Sequence, residues 1–391
     1  MLALLLLLVP LQCCAANSVA LREVVPYAST GSGTEDPLGA FGAAALLSLP
    51  SDGLAVASFG AGLWVLELAT PHIRARRHRS VLSPGHSATS LASLPGGCLA
   101  VGGDGVRLVN TSTRSANFEG TSVSEISGVN ALLASPSPGI GLAIGADSGL
   151  HLLGEDAVDC SAPLLARSAN STLMSNDSDL QNESIAGMLS PGLLPGRFVY
   201  ALVQLPSGEI VAGTDDGIWI LNRLDVKVAP SAVLAPGSHV ASLLPLPGGG
   251  LVAGTLNGAL IFRSQDLRPG GRPRATLAKG SAIWGILLLP DDDGLLLGTS
   301  SWSAGSKDRG ALLFSASAWQ STPPAEPSVA LSAGAVVWAL ALLPHGGSGF
   351  SIGGVGAASV AVGGSRGVEL FDLADLRTKV ELGYASWGVA L

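Results

Sequence analysis

Apolar residues along the chain fall into short runs that are separated by Gly, Pro, Asp and Asn. The segments VYALVQLPSGEIVAGTDDGIWIL (199–221) and VASLLPLPGGGLVAGTLNGALIF (240–262) show the pattern clearly. An apolar run ends in Leu-Pro, a turn with Gly follows, a second apolar run ends in Gly-Thr, and a turn ending in Gly precedes a third run. Short apolar runs bounded by Gly and Pro are typical of β-strands.

The same order of runs and turns occurs seven times. The copies cover residues 44–68, 89–109, 130–153, 199–221, 240–262, 283–299 and 337–347, the last continued by 359–373. Where copies follow each other directly, their Leu-Pro prolines lie 45, 41, 43 and 54 residues apart. A period just above 40 residues with several strands per unit is typical of a β-propeller blade.

Each unit has room for a fourth strand. The pairs Asp104-Gly105, Asp216-Gly217 and Asn257-Gly258 stand between the second and third runs, where they predict type I′ turns. After the third run, segments 227–238, 274–281 and 378–386 predict a short outer strand. The sequence therefore predicts an all-β chain that forms a single β-propeller of seven four-stranded blades.

Two copies contain a histidine at a fixed distance from the turn. The pair Gly85-His86 begins nineteen residues before Asp104, and His239 lies eighteen residues before Asn257. In this respect the chain resembles the WD-repeat propellers. The resemblance implies that His86, Asp104, Asp216, His239 and Asn257 belong to structural hydrogen-bond networks. No copy ends in Trp-Asp, the nearest pair being Phe371-Asp372, and the resemblance implies no active site.

The two ends of the chain predict how the ring closes. The final stretch YASWGVAL aligns with AVVWALAL (335–342), which places Trp387 at the position of Trp338 and opens an incomplete eighth unit. Residues 19–29 precede the first copy where an outer strand belongs. We therefore expect the termini to meet, with Trp387 beside the first blade and the 19–29 strand. Two alternatives remain open: a seven-bladed ring with an irregular last strand, or a truncated chain that would continue into an eighth blade. The eighth unit lacks its two middle strands, which favours truncation.

The N-terminus predicts secretion. Residues Leu2 to Val9 are apolar and small residues follow to Ala16, as in a signal peptide cleaved near residue 16, although the basic segment that usually precedes is missing. A signal anchor is the alternative. No later run approaches the length of about 20 apolar residues that a membrane span needs. We expect residues 1–16 to be the signal and residues 17–391 to be a secreted or lumenal propeller without a membrane span.

Glycosylation motifs and cysteines agree with this compartment. Four N-x-S/T motifs occur, at Asn110, Asn170, Asn176 and Asn182, and three of them lie in a Ser-, Asn- and Asp-rich insertion. We expect a glycosylated loop at about 156–197. After signal removal two cysteines remain, Cys98 and Cys160, which form either a disulfide or two separate buried thiols.

Charge and motif content narrow the function. The net charge of −8 argues against nucleic acid as the partner, since that binding needs clustered cations. One basic run, Arg74 to Arg77, resembles a furin-type processing site, and a charged edge strand or a polyanion patch are the alternatives. None of the six histidines forms a metal-binding motif, and PDDDG (290–294) lacks the ligand spacing of a calcium loop. We expect no catalytic residues, no metal and no cofactor.

An aromatic column supplies the candidate site. Tyr200, Trp284 and Trp338 each stand six residues before the Leu-Pro proline of their copy. They either line a ligand entrance at the mouth of the central channel or fill the space between radially packed sheets. The predicted function is a secreted, monomeric, non-enzymatic platform that binds a protein or glycan. The alternative is a propeller enzyme, a hydrolase or lyase, with its site at the channel mouth.

Overall fold

A computed structural model of the 391-residue chain describes sixteen segments of it. The described residues are 21–24, 42–49, 53–60, 62–69, 74–80, 87–110, 121–124, 126–134, 139–158, 193–222, 230–290, 294–300, 310–317, 321, 326–343 and 359–381. These residues are predominantly β-strand and form seven antiparallel sheets. No helix in these ranges is both long and apolar enough to cross a membrane.

The first three sheets follow the first three copies of the repeat. Sheet 1 contains β2 (Ala43–Leu49), β3 (Gly53–Ser58), β4 (Gly62–Ala69) and β5 (Arg74–Ser80). Sheet 2 contains β6 (Ala88–Leu94), β7 (Cys98–Gly103), β8 (Val106–Asn110) and β9 (Thr121–Ser124). Sheet 3 contains β10 (Val129–Ala134), β11 (Leu142–Ala146) and β12 (Gly149–Leu153), and helix α1 (Glu155–Val158) follows.

The other four sheets repeat the arrangement. Sheet 4 contains β13 (Val199–Gln204), β14 (Ile210–Thr214), β15 (Gly217–Leu221) and β16 (Ala232–Leu234). Sheet 5 contains β17 (Val240–Pro245), β18 (Leu251–Thr255), β19 (Gly258–Phe262) and β20 (Ala275–Leu277). Sheet 6 contains β21 (Ala282–Leu288), β22 (Gly294–Ser300), β23 (Gly310–Ser315) and β24 (Val329–Leu331). Sheet 7 contains β25 (Val337–Leu343), β26 (Ser359–Gly364), β27 (Gly367–Asp372) and β1 (Leu21–Val24), and helix α2 (Leu373–Glu381) follows β27.

The sheets pack face to face in cyclic order. The first strand of each sheet, its inner strand, contacts the inner strand of the next sheet, and β25 of sheet 7 contacts β2 of sheet 1. Among the described residues an apolar core fills each of the seven spaces between neighbouring sheets. The core that joins sheet 7 to sheet 1 packs Leu343 and Val368 with Leu54 and Val56. Burial between sheets therefore holds the ring together.

Sheet 7 takes its outer strand from the start of the chain. Strand β1 lies antiparallel to β27, with Leu21 opposite Phe371 and Val24 opposite Glu369. The predicted outer strand within 19–29 is thus present. The outer strand predicted at 378–386 is wrong at its start, because residues up to Glu381 belong to helix α2. Trp387 lies outside the described residues, as does its predicted contact with the first blade.

Helix α2 has an identifiable cause in the sequence. The Asp372 carboxylate accepts a hydrogen bond from the Ala374 N–H at 3.0 Å, which caps the start of the helix. Leu373 and Leu376, one helical turn apart, are both buried in the core shared with sheet 6. The capping aspartate and this spacing favour a helix over the strand that position in the repeat suggested.

The glycine of each Gly-Thr ending is required by close sheet packing. A Cβ on Gly213 would lie 2.8 Å from Val240 Cγ1 and 3.0 Å from the Val240 carbonyl oxygen. In six of the seven sheets a second-strand glycine faces the start of the next inner strand in this way: Gly102, Gly145, Gly213, Gly254, Gly298 and Gly363. The repeated glycine therefore sets the distance between neighbouring sheets.

The threonine of the same ending closes the hairpin between the second and third strands. Thr214 Oγ1 donates to the Gly217 carbonyl at 3.0 Å and accepts from the Asp216 N–H at 3.1 Å. Thr255 makes the equivalent bonds to Gly258 and Asn257, at 2.8 and 3.0 Å. These local bonds fix a tight turn.

The type of these turns differs from the predicted type I′. Thr214 pairs with Gly217, so that the two loop residues are Asp215 and Asp216, and neither has a positive φ. Gly217 has a φ of +126°, whereas Gly105 has no positive φ. In sheets 4 and 5 the hydrogen bonds of the threonine hydroxyl hold the loop without the left-handed central residues of a type I′ turn.

Sheet 3 has three strands where four were predicted. Leu193 nevertheless forms an isolated antiparallel bridge with Leu150 of β12, with both backbone hydrogen bonds at 2.7 Å. This is the position at which β16 and β20 pair in sheets 4 and 5. Most of the predicted loop insertion, residues 159–192, lies outside the described residues.

Candidate functional site

Every inner strand carries a β-bulge at one end of the ring. The pairing register shifts by one residue near the start of each inner strand, which leaves one residue without a partner on the second strand. The seven bulge residues are Ala44, Thr89, Asn130, Tyr200, Ala241, Trp284 and Trp338, and all are half-buried. Tyr200, Trp284 and Trp338 therefore occupy equivalent positions in their sheets. The end of the ring defined by these seven residues is called the mouth end.

Four rings from sheets 4 to 6 form a continuous series at the mouth end. Phe198 stacks on Tyr200 with ring centroids 6.2 Å apart, and Tyr200 lies 4.3 Å from the ring of His239. His239 meets Trp284 edge to face at 6.4 Å. The indole N–H of Trp284 donates to Ser300 Oγ at 2.7 Å. Phe198, Tyr200, His239 and Trp284 are called the aromatic track.

Trp338 belongs to a separate aromatic pair. Its ring packs edge to face against Phe59 at 5.9 Å. Phe59 follows β3, in the turn between the second and third strands of sheet 1, so that sheets 7 and 1 meet at the mouth end through this contact. The structure thus brings together two of the three predicted aromatic residues and pairs the third with a residue that the sequence did not single out.

Carboxylates accompany the track. Asp215 lies in the turn after β14, and its N–H donates to the Phe198 carbonyl at 3.2 Å. Its Oδ1 atom is buried and has no hydrogen-bond partner. Asp147 occupies the corresponding turn of sheet 3, where it accepts a hydrogen bond from the Asn130 side chain at 2.9 Å. Acidic groups therefore lie beside the aromatic rings.

Burial and charge shift two pKa values in the track. Burial raises the pKa of the Tyr200 hydroxyl, and the carboxylates of Asp215 and Asp147 raise it further. Burial lowers the pKa of His239 below its ordinary value of 6.5, although Asp215 opposes this shift. The His239 Nε2 atom is buried without a hydrogen-bond partner. At neutral pH Tyr200 therefore keeps its proton and His239 is uncharged.

Three of the residues that the resemblance assigned to a structural network, Asp104, Asp216 and Asn257, accept hydrogen bonds from backbone N–H groups just before an inner strand, whereas His239 Nε2 has no partner. Asp216 Oδ1 accepts from the Gly237 N–H at 3.1 Å, and Asn257 Oδ1 accepts from the Gly280 N–H at the same distance. Asp104 Oδ2 accepts from the Ser87 N–H at 3.2 Å. His86 lies outside the described residues. The Asp216 bond holds the connection that leads to His239, and so it positions the aromatic track.

An ion pair borders the track on the side of sheet 4. Arg197 lies 2.9 Å from the Asp216 carboxylate, and its guanidinium carbon lies 5.9 Å from the centre of the Trp219 ring. Both partners of the ion pair are 38% exposed. Such an exposed pair orients side chains more than it stabilises the fold.

Several predicted sites fall only partly on described residues. Cys98, at the start of β7, is disulfide-bonded, but Cys160 lies outside the described residues, so that their pairing stays a prediction. Asn110 ends β8, whereas Asn170, Asn176 and Asn182 lie outside the described residues. The basic run Arg74 to Arg77 lies on β5, the outer strand of sheet 1.

No group of three or more His, Cys, Asp or Glu residues that could hold a metal ion occurs in the described part of the chain. Phe198 and Phe59 are the aromatic residues that the sequence reasoning missed. Phe198 and His239 stand at the same place in the repeat, one residue before the inner strand begins. Alignment of the copies on this position would have placed both beside the predicted column.

Comparison with solved structures identifies the fold. The WD40 β-propeller domain of Doa1 superposes with a TM-score of 0.58 at 13% identity, covering 88% of this chain and 95% of that domain. The extracellular domain of the putative hybrid two-component system BT4673 from B. thetaiotaomicron also has a TM-score of 0.58, at 14% identity. That match covers 87% of this chain but only 38% of the other. No known family model and no curated protein sequence matches. The chain has a β-propeller fold similar to that of WD40 domains.

Proposed function

We propose that the chain is a non-enzymatic binding platform that docks a partner protein at its mouth end. One observation carries this proposal. The large apolar side chains that are exposed among the described residues are Phe59, Phe198 and Leu256, at 41%, 42% and 39%, and all three lie at the mouth end. Single exposed apolar residues are ordinary, but here all three lie at the same end of the ring, and this shared position supports the choice of the mouth end as the docking surface.

The scaffold suits this role. Phe59 and Leu256 stand in turns between second and third strands, and Phe198 directly precedes an inner strand. Each is held by a short connection on a packed sheet, so the surface is preorganised. Binding to such a surface costs little conformational entropy.

We propose that the ring consists of seven four-stranded blades. Seven sheets with seven apolar cores between them support this count in the described residues. The segment at Leu193 would supply the fourth strand of sheet 3, because it bridges Leu150 where other sheets place their outer strand. Strand β1 would close the ring by completing sheet 7.

We propose that the protein is secreted or lumenal. The signal-like residues 1–16 and the cluster Asn170, Asn176 and Asn182 support this location. Expression in mammalian cells tests it. The protein in the medium should shift to lower mass on treatment with peptide N-glycosidase. Retention of unglycosylated protein in the cytosol would refute the location.

Comparative affinity capture tests the docking surface. The triple variant Phe59→Ser, Phe198→Ser, Leu256→Ser removes the exposed apolar groups of the mouth end. The control Ser207→Ala changes an exposed residue in the turn between the first and second strands of sheet 4, at the opposite end of the ring. Proteins captured by the native chain and the control, but lost with the triple variant, support the proposal. Equal capture by all three refutes it.

A further inference from the structure

We propose that the aromatic track binds the guanidinium group of an arginine side chain presented by the partner protein. This inference rests on the proposed function and assigns a ligand chemistry to part of the mouth end. The residues concerned are Phe198, Tyr200, His239 and Trp284, with Asp215 and Asp147 beside them.

Aromatic faces attract cations. Consecutive rings of the track have centroids 4.3 to 6.4 Å apart. Tyr200 and Trp284 are both half-buried, so part of each residue reaches solvent. A cation over such a ring interacts with its electron-rich face, and the interaction is stronger where water is partly excluded. A planar guanidinium also stacks on aromatic rings, which an ammonium group cannot do.

Two buried polar atoms, one in the track and one beside it, lack hydrogen-bond partners. Asp215 Oδ1 has no hydrogen-bond partner, and neither has His239 Nε2. A buried polar atom without a partner costs free energy, so a donor that reaches it is favourable. Because burial lowers the pKa of His239, its imidazole is neutral, and Nε2 is an acceptor in the tautomer that carries the hydrogen on Nδ1. A guanidinium offers five N–H donors to satisfy such acceptors.

The carboxylate of Asp215 is accessible to a ligand. Asp215 is half-buried as a residue although its Oδ1 atom is covered. Because the torsion about its Cβ–Cγ bond is soft, the carboxylate plane can turn towards a ligand that reaches the exposed part of the residue. The nearby cation Arg197 forms its ion pair with Asp216, at 2.9 Å. Asp215 has no ion pair among the described residues.

Charge complementarity selects the ligand. Asp215 and Asp147 both lie near enough to Tyr200 to raise its pKa, which places two negative charges around one ring. The chain as a whole has a net charge of −8. A neutral sugar would gain the ring contacts but not the attraction to these carboxylates. The arginine of a basic protein segment gains both.

Peptide binding tests the inference. The probes are the peptide Ac-Gly-Arg-Gly-Arg-Gly-NH2 and a matched peptide with citrulline, a neutral isostere, in place of arginine. NMR titration of the full chain measures their affinity. We expect the arginine peptide to bind roughly tenfold more tightly than the citrulline peptide. The neutral citrulline side chain makes neither the cation–π contact with the rings nor the ion pair with a carboxylate. Equal affinity, or no binding, would overturn the inference.

Matched variants separate local recognition from bulk charge. Asp215→Asn and Glu209→Gln each remove one negative charge, but Glu209 lies at the opposite end of the ring in the turn that follows β13. Asp215→Asn should lower the affinity for the arginine peptide at least about fivefold, whereas Glu209→Gln should lower it less than about twofold. Equal weakening by both would refute a specific site. Trp284→Leu should also weaken binding, and Trp284→Phe, which keeps a ring, should retain most of it.

Two further measurements separate the arginine site from effects on folding and from the proposed docking function. Because Asp215 Oδ1 makes no hydrogen bond, Asp215→Asn should leave the unfolding midpoint unchanged or raise it. If partner capture is lost in the triple variant at Phe59, Phe198 and Leu256 but unaffected by Asp215→Asn, the docking surface stands and the arginine site is refuted. If neither variant changes capture, the proposed function itself fails.

Discussion

The imidazole of His239 lies 4.3 Å from the ring of Tyr200, although the two residues belong to neighbouring sheets. The contact spans the boundary between sheets 4 and 5 and buries His239 enough to lower its pKa. The packing of the mouth end is thus coupled to the protonation of one histidine.

This coupling predicts a pH effect on stability. The folded-state pKa of His239 is below the unfolded value of 6.5, so the unfolded state takes up a proton first as pH falls. The stabilisation is complete above pH 6.5 and is lost as pH falls through the folded-state pKa. The urea midpoint should fall between pH 7.5 and 5.5, and His239→Gln should reduce that fall.

A second histidine provides the comparison. Burial also lowers the pKa of His151, whose Nε2 lies 2.7 Å from Ser148 Oγ. His151→Gln should therefore remove another part of the pH effect, and the double variant should remove more than either single change. An unchanged pH dependence in His239→Gln would contradict the burial of its neutral form.

Close packing between sheets predicts a large penalty for a single methyl group. In Gly213→Ala the new Cβ would meet Val240 Cγ1 at 2.8 Å and its carbonyl oxygen at 3.0 Å. Because a backbone oxygen cannot move aside easily, we expect a loss of about 1–3 kcal/mol in the free energy of unfolding. Chemical denaturation measures it.

The matched control is Gly248→Ala, where a Cβ would meet nothing within 4 Å and φ is not positive. It should be neutral or slightly stabilising, because alanine restricts the unfolded chain. Equal losses at Gly213 and Gly248 would show that the glycine does not set the sheet spacing.

The hairpin threonine predicts a smaller effect. Thr255→Val keeps the shape but removes the bonds to Gly258 and Asn257. Each such bond contributes about 1 kcal/mol, so the free energy of unfolding should fall by about 1–2 kcal/mol. Thr276→Val, in outer strand β20, should cost less than half as much. Similar losses at both positions would argue against a special role for the turn.

Because β1 pairs with β27, removing backbone N–H donors of β1 should lower the protection of β27 against amide hydrogen exchange. In an antiparallel pair, every second residue of a strand hydrogen-bonds to the neighbouring strand. Replacing both Glu23 and Val24 with proline therefore removes at least one backbone N–H donor to β27. Amide exchange in Val368 to Phe371 should accelerate roughly tenfold while β18 remains protected.

The variant Val24→Thr, which keeps the N–H, is the control for this experiment. It should leave exchange in β27 near the native rate. Unchanged exchange in the proline variant would mean that β1 does not complete sheet 7.

Strand periodicity predicted the first three strands of each sheet well, because Leu-Pro and Gly-Thr mark local turns whose geometry depends on neighbouring residues. The glycine at position 213 was visible as a pattern, but its cause was not, since it lies in Val240 of the next sheet. Helix α2 was missed even though Asp372 and the spacing of Leu373 and Leu376 indicated it. Position in the repeat favours a strand here, but the local capping and the burial of the two leucines determine a helix.

The candidate site was predictable only in part. Tyr200, Trp284 and Trp338 could be aligned by counting back from each proline. The contacts of these three rings depend on other residues. His239 lies between Tyr200 and Trp284 and contacts both, whereas Trp338 contacts Phe59. The unpaired Oδ1 of Asp215 is a property of packing, and no sequence pattern reveals it.

Site-specific photocrosslinking tests the binding platform most directly. A benzoyl-phenylalanine is introduced at Phe198, in the mouth end, or at Ser207, at the opposite end, and crosslinking is induced in cultures that express the full chain, with cells and medium analysed together. The account predicts a discrete crosslinked partner from position 198 and much weaker crosslinking from position 207. Equal crosslinking from both positions, or crosslinking from position 207 alone, would contradict it.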